Sequence, residues 1–151
     1  MFVSRDQKDN KYRLEVTGLQ LQVILRALDL FSRVGGGQFT EVLLDELKVE
    51  LFKDGGTKES HLRRDTAERF LLLAKEQVWP ELGPSNASWG IFNDKMVPAA
   101  CRTAYDILRV FRRHLALERD PTPEYRTVDY DEVTLVAPET GPLPTVETVP
   151  K

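Results

Sequence analysis

The sequence predicts an α+β domain: about four helices packed on a small antiparallel sheet from strands near its two ends. Three observations point there. Residues 11–17 alternate, with Tyr12, Leu14 and Val16 apolar against Arg13, Glu15 and Thr17, the period of a half-buried strand. Weaker alternation over residues 125–136, in Thr127-Val128-Asp129-Tyr130 and Val133-Thr134-Leu135-Val136, reads as a strand or hairpin returning to the first. Between them, apolar residues recur every three or four positions in four segments separated by Gly or Pro, as amphipathic helices require.

Thr17-Gly18-Leu19-Gln20 has the spacing of a capping box. The first helix is expected from residue 18 to Val34, burying Leu21, Ile24, Leu28 and Phe31 beside Ala27. Gly35-Gly36-Gly37 ends it. The second helix is expected from Gln38 to about Lys53, with Phe39, Leu43, Leu47 and Leu51 spaced by four. Asp54-Gly55-Gly56-Thr57 is a turn. The third helix spans about Lys58 to Trp79, presenting Leu62, Phe70, Leu73 and Gln77, widened by Leu71, Ala74 and Val78. Pro80 stops it, because proline lacks the N–H a helix needs. Residues 80–97 are irregular and carry Asn86-Ala87-Ser88-Trp89-Gly90-Ile91-Phe92-Asn93. The fourth helix starts near Pro98, with Asn93 or Asp94 near its cap, and runs to about Leu117. Its core stripe is Cys101, Ala104, Leu108, Phe111 and Leu115; Arg102, Asp106, Arg109 and Arg113 form the opposite stripe. Pro121 and Pro123 end it. The domain is thus 11–137, between a polar N-terminus (1–10) and a Pro-rich arm (138–151).

A chain of 151 residues, 41% hydrophobic and 30% charged, suits one globular domain with a modest core. The net charge of -3 argues against general nucleic-acid binding. The charge is uneven. From Lys95 to Arg119, six Lys or Arg face only Asp106 and Glu118; from Asp120 onward, seven Asp or Glu face Arg126 and Lys151. An acidic tail follows a basic helix and could fold back on it. One cysteine excludes an intrachain disulfide and suits a reducing compartment. No stretch reaches the roughly 18 apolar residues of a membrane span, and residues 1–10 lack a signal-peptide core. The expected location is the cytoplasm.

The chemistry-bearing residues favour binding over catalysis. His61 and His114 each lack a nearby cysteine and a paired carboxylate at metal spacing, so a zinc site is not expected. Cys101 lies on a core stripe, where a small buried hydrophobe is expected. Phosphate-loop, Rossmann and nucleophile-elbow motifs are absent, so no cofactor is expected. Gly36-Gly37-Gln38 resembles the Gly-Gly-Gln of peptide-chain release factors, without that family's surrounding pattern.

The candidate ligand site has three parts. Arg33, Gly35, Gly36, Gly37 and Gln38 form a corner where backbone N–H groups at a helix start could hold an anion; a plain helix–helix corner is the alternative. Trp89, Phe92 and Asn93 offer stacking and hydrogen bonding, or fill a core gap. Arg109, Arg112 and Arg113 with Tyr105 offer guanidinium forks and a stacking face suited to phosphate and base. The alternative is a solvated face in which Asp106 pairs with Arg102 and with Arg109 or Arg113. Arg112, nearer the buried side, is expected to share a polar site with Arg33. Asp29 for Arg33, and Asp106 or Glu118 for Arg112, would satisfy them separately.

Arg33-Val34-Gly35-Gly36-Gly37-Gln38-Phe39, then Trp89-Gly90-Ile91-Phe92-Asn93, then Ala104-Tyr105-Asp106-Ile107 with Arg112 and Leu115-Ala116, resembles a family of small tailed-bacteriophage proteins. There an R-[IV]-G-x-G-Q-[FW] turn precedes an A-Y-D-[IL]-x-x-V-x-R helix. The resemblance covers most of residues 11–130; Leu108-Arg109 stand where that family commonly has His-Gln. By analogy with phage anti-defence sponges, it implies a homo-oligomeric, non-enzymatic protein that sequesters a cyclic-nucleotide or ADP-ribose-type immune signal. The alternatives are a host-takeover protein binding a host protein or DNA through the basic helix, and a small hydrolase.

Overall fold

The computed structural model describes residues 11–40, 42, 44, 57–137 and 141–149. Three complete helices stand among them: α1 (Gly18–Gly35), α2 (Lys58–Val78) and α3 (Ala99–Arg119). Single 3-10 turns lie at Pro80–Leu82 and Val128–Tyr130. Phe39, Thr40, Val42 and Leu44 are also helical, whereas Leu43, Leu47 and Leu51 of the expected second helix lie outside the described residues.

No strand or sheet occurs among the described residues, so the expected α+β class is corrected to a helical one. A strand needs a ladder partner for its backbone groups, and neither alternating segment has one. Residues 11–17 lead extended and exposed into α1, with Tyr12 and Leu14 in solvent. Residues 127–137 dock on α3 instead, burying Tyr130, Val136 and Ala137.

The capping box opens α1 as its spacing predicts. The Thr17 hydroxyl accepts from the Gln20 N–H at 3.3 Å, and Gln20 Oε1 accepts from the Thr17 N–H at 2.8 Å. The buried face of α1 is rotated from the expected stripe. Leu25, Ser32 and Gly35 are buried, whereas Phe31 is 50% exposed. The reason is Gly35, which lets α1 approach α3 closely. A Cβ there would lie 2.3 Å from Cys101 Sγ, far inside contact distance. That contact turns residues 25, 32 and 35 inward. Ser32 is buried without cost because its hydroxyl donates to the Asp29 carbonyl at 2.8 Å.

In α2 the expected apolar face is also corrected: Leu62, Phe70 and Leu73 are exposed, and Lys75 is the buried residue. Its ammonium donates to the carbonyls of Ser85 and Ala87. Both oxygens belong to the irregular stretch after α2, so the ammonium fastens that stretch to the helix. Phe39 meets Trp79 edge-to-face, with ring centroids 5.2 Å apart, and ties the end of α2 to the chain beyond the glycines.

Helix α3 is the centre of the fold, with α1 along one side and the 3-10 turn at Val128–Tyr130 on another. Cys101, Ala104 and Leu108 are buried, as the core stripe requires. The opposite stripe is not a solvated face, however: Asp106 is fully buried and Arg102 nearly so. They hold the C-terminal segment. Asp106 Oδ1 accepts from the Val136 N–H at 2.8 Å and Oδ2 from the Ala137 N–H at 3.0 Å. Arg102 Nη1 donates to the Val136 carbonyl at 3.0 Å. The acceptor-only carboxylate and donor-only guanidinium together match the polar groups of one extended dipeptide.

Candidate functional site

The glycine corner is a closed structural joint. Gly36 N–H and Gln38 N–H both donate to the Arg33 carbonyl, at 3.0 and 3.1 Å, and Gly37 N–H donates to the Val34 carbonyl at 3.0 Å. This is a Schellman ending with Gly37 at φ 86, a conformation glycine adopts without strain. The N–H groups expected to cradle an anion are therefore taken by α1's own last carbonyls. The Gly36 carbonyl accepts from Trp89 N–H at 2.8 Å, and Gln38 Nε2 reaches Ser88 Oγ at 3.4 Å. The corner thereby fastens the Trp89 loop to the end of α1.

Among the described residues no ring contact joins Trp89, Phe92 and Tyr105. The Trp89 ring N–H is buried with no partner among the described residues, Phe92 is 75% exposed, and Tyr105 is half-buried on α3. The Asn93 side chain accepts from Met96 N–H at 3.2 Å and shapes the turn before α3.

The arginines divide. Arg33 and Arg112 come together on one carboxylate: Arg33 Nε lies 3.0 Å from Asp29 Oδ2, and Arg112 Nη2 3.2 Å from Asp29 Oδ1. Asp29 thus supplies the expected i,i+4 partner of Arg33, and it serves Arg112 as well in place of Asp106 or Glu118. Both guanidiniums are well exposed, at 48% and 38%. Neither is therefore the buried cation whose burial would demand an anion, and solvent screening keeps these pairs to tenths of a kcal/mol. Arg109 Nη2 instead donates to the Val128 carbonyl at 3.1 Å. Arg113 lines a separate hollow of about 420 Å³ with Leu143 and Pro144 of the C-terminal arm. That arm is pinned further by Thr148, which donates to Glu118 at 3.0 Å and lies 3.2 Å from His114 Nε2. The tail therefore covers the Arg109 and Arg113 side of α3.

Beside the Asp29 cluster an open groove of about 300 Å³ runs between α1 and α3. Helix α1 supplies Gln22, Arg26 and Asp29; α3 supplies Arg112 and Arg119. Spacings of four and three residues on α1, and of seven on α3, keep each set on one face. Leu25, Leu115 and Ala116 add apolar surface. Asp129 comes from the 3-10 turn that follows α3. Counting Arg33 on Asp29, four guanidiniums stand against two carboxylates. Of the sequence candidates only Arg112 lines this groove, with Arg33 adjacent through Asp29. Arg26 and Arg119 are not among the sequence candidates, although Arg119 follows Arg112 by seven residues and so shares its face of α3.

Burial raises the Cys101 thiol pKa, in keeping with a packing role at Gly35. Among the described residues no three His, Cys, Asp or Glu side chains cluster as metal ligands, and no helix is long and apolar enough to cross a membrane. No protein-family model, curated protein or solved structure matches the chain.

Proposed function

We propose that this is a non-catalytic binding protein that captures a small phosphorylated ligand in the groove between α1 and α3. The observation that carries the reading is the convergence of Arg26, Arg112 and Arg119 on one concave surface with an apolar floor. With Arg33, the cluster has an excess of two positive charges over Asp29 and Asp129. A phosphate monoester, carrying about −1.5 to −2 at neutral pH, matches that excess. Guanidinium forks bind such oxygens in pairs. The resemblance to tailed-phage proteins supports the finer reading: a homo-oligomer in the host cytoplasm that sequesters a nucleotide-type immune signal. The basic-helix alternative draws less support, because Arg102, Arg109 and Arg113 are engaged by the chain's own C-terminal segment.

Native mass spectrometry of the full chain, mixed with mononucleotides, cyclic nucleotides and ADP-ribose, tests this directly. A retained ligand should be recovered unchanged after heat denaturation, and Arg112→Ala or Arg119→Ala should lose it. Arg63→Ala, an exposed ion-pair residue on α2, should retain it. Retention by both groove variants, or recovery of cleaved ligand, would sink the proposal.

A further inference from the structure

Among the described residues, Asp129 is the one lining residue of the groove that belongs to neither helix. It rides on the Val128–Tyr130 turn, and that turn is held in place from both ends. Arg109 grips the Val128 carbonyl at 3.1 Å, and Tyr130 is 4% exposed. Six residues further on, Asp106 and Arg102 clamp the Val136–Ala137 main chain. The carboxylate is therefore delivered to an arginine-rich groove by a firmly docked segment. Among the described residues no ion pair or hydrogen bond engages that carboxylate. An ionised carboxylate is acceptor-only. It repels a bare phosphate anion, and it can be satisfied by a ligand that brings hydroxyl donors of its own.

We infer that Asp129 is a specificity residue, selecting a sugar phosphate over inorganic phosphate by accepting from the sugar hydroxyls. This rests on the groove being the ligand site. The arginines take the phosphoryl oxygens and Asp129 takes the hydroxyl face, so one ligand must carry both groups. Because Asp129 is part of the docked C-terminal segment, ligand binding and docking reinforce each other. By linkage, each must stabilise the other equally.

Titration calorimetry of the full chain with ribose 5-phosphate and with inorganic phosphate separates the outcomes. The wild-type chain should prefer ribose 5-phosphate by roughly tenfold or more, the worth of one or two hydrogen bonds to a charged acceptor. Asp129→Asn should shrink that preference, chiefly by binding inorganic phosphate more tightly. Amide exchange at Val136 and Ala137 should slow when ribose 5-phosphate binds, a readout independent of the variant. Equal wild-type affinity for the two probes, an undiminished preference in Asp129→Asn, or unchanged exchange at those amides overturns the inference while leaving the groove reading intact. No binding of either probe overturns both.

Discussion

Replacing Asp106 by Ala tests what holds the C-terminal segment to the helices. The carboxylate accepts two adjacent buried N–H groups, at 2.8 and 3.0 Å, and is itself fully buried. A hydrogen bond to a charged acceptor contributes about 1.5–3 kcal/mol, so losing both costs about 3–6 kcal/mol if the segment stays docked. It need not stay. The Val136 and Ala137 amides can regain water by undocking, which caps the loss at the free energy of docking. That free energy includes the burial of Tyr130, Val136 and Ala137, about 2 kcal/mol for each larger apolar side chain. The expected result is a fall of about 3 kcal/mol in urea-unfolding free energy, with fast amide exchange confined to residues 128–137. Asp106→Asn keeps one acceptor oxygen but turns an NH2 donor toward the other buried N–H, so it should lose at least half as much. A loss below about 1 kcal/mol, with Val136 and Ala137 still protected, would show that the carboxylate clamp is not what docks the segment.

Three further outcomes follow from local geometry. Gly35→Ala places a Cβ 2.3 Å from Cys101 Sγ, so thermal unfolding should show a loss of about 1–3 kcal/mol from overpacking, and Gly35→Ala/Cys101→Gly should be less destabilised than additivity predicts; additive losses would refute the contact. Thr17→Ala removes the capping-box hydroxyl and should cost about 1 kcal/mol in the same assay. The buried Cys101 thiol has a raised pKa, so its stabilising contribution is complete below the unfolded thiol pKa of about 8.5 and declines as pH rises through the folded value. Alkylation at pH 8 should therefore be slow in the folded chain and fast in denaturant, and rapid labelling of native protein would contradict the burial.

What the sequence made legible was mostly local. The Thr17–Gln20 box, the ending of α1 at the glycines and the core stripe through Cys101, Ala104 and Leu108 all depend on neighbours a few residues away. Alternation over residues 11–17 and 125–136 does not make a strand, because period two records which side chains could share a face, while a strand also requires a distant backbone to pair with. The second alternating segment does find partners for its backbone, but they are the side chains of Asp106 and Arg102 across thirty or more residues. A charged residue on the supposed polar face of α3 thus became the most buried part of it. The candidate site was legible in the same partial way. Arg33 and Arg112 do meet, and their joint partner Asp29 lies one helical turn before Arg33. The glycine run alone does not reveal that α1's last carbonyls use its N–H groups. Arg26 joins Arg112 and Arg119 only because α1 and α3 pack side by side. The close contact at Gly35 and Cys101 helps fix that approach, so a packing residue at one end of the helix pair helps bring together the arginines of the groove.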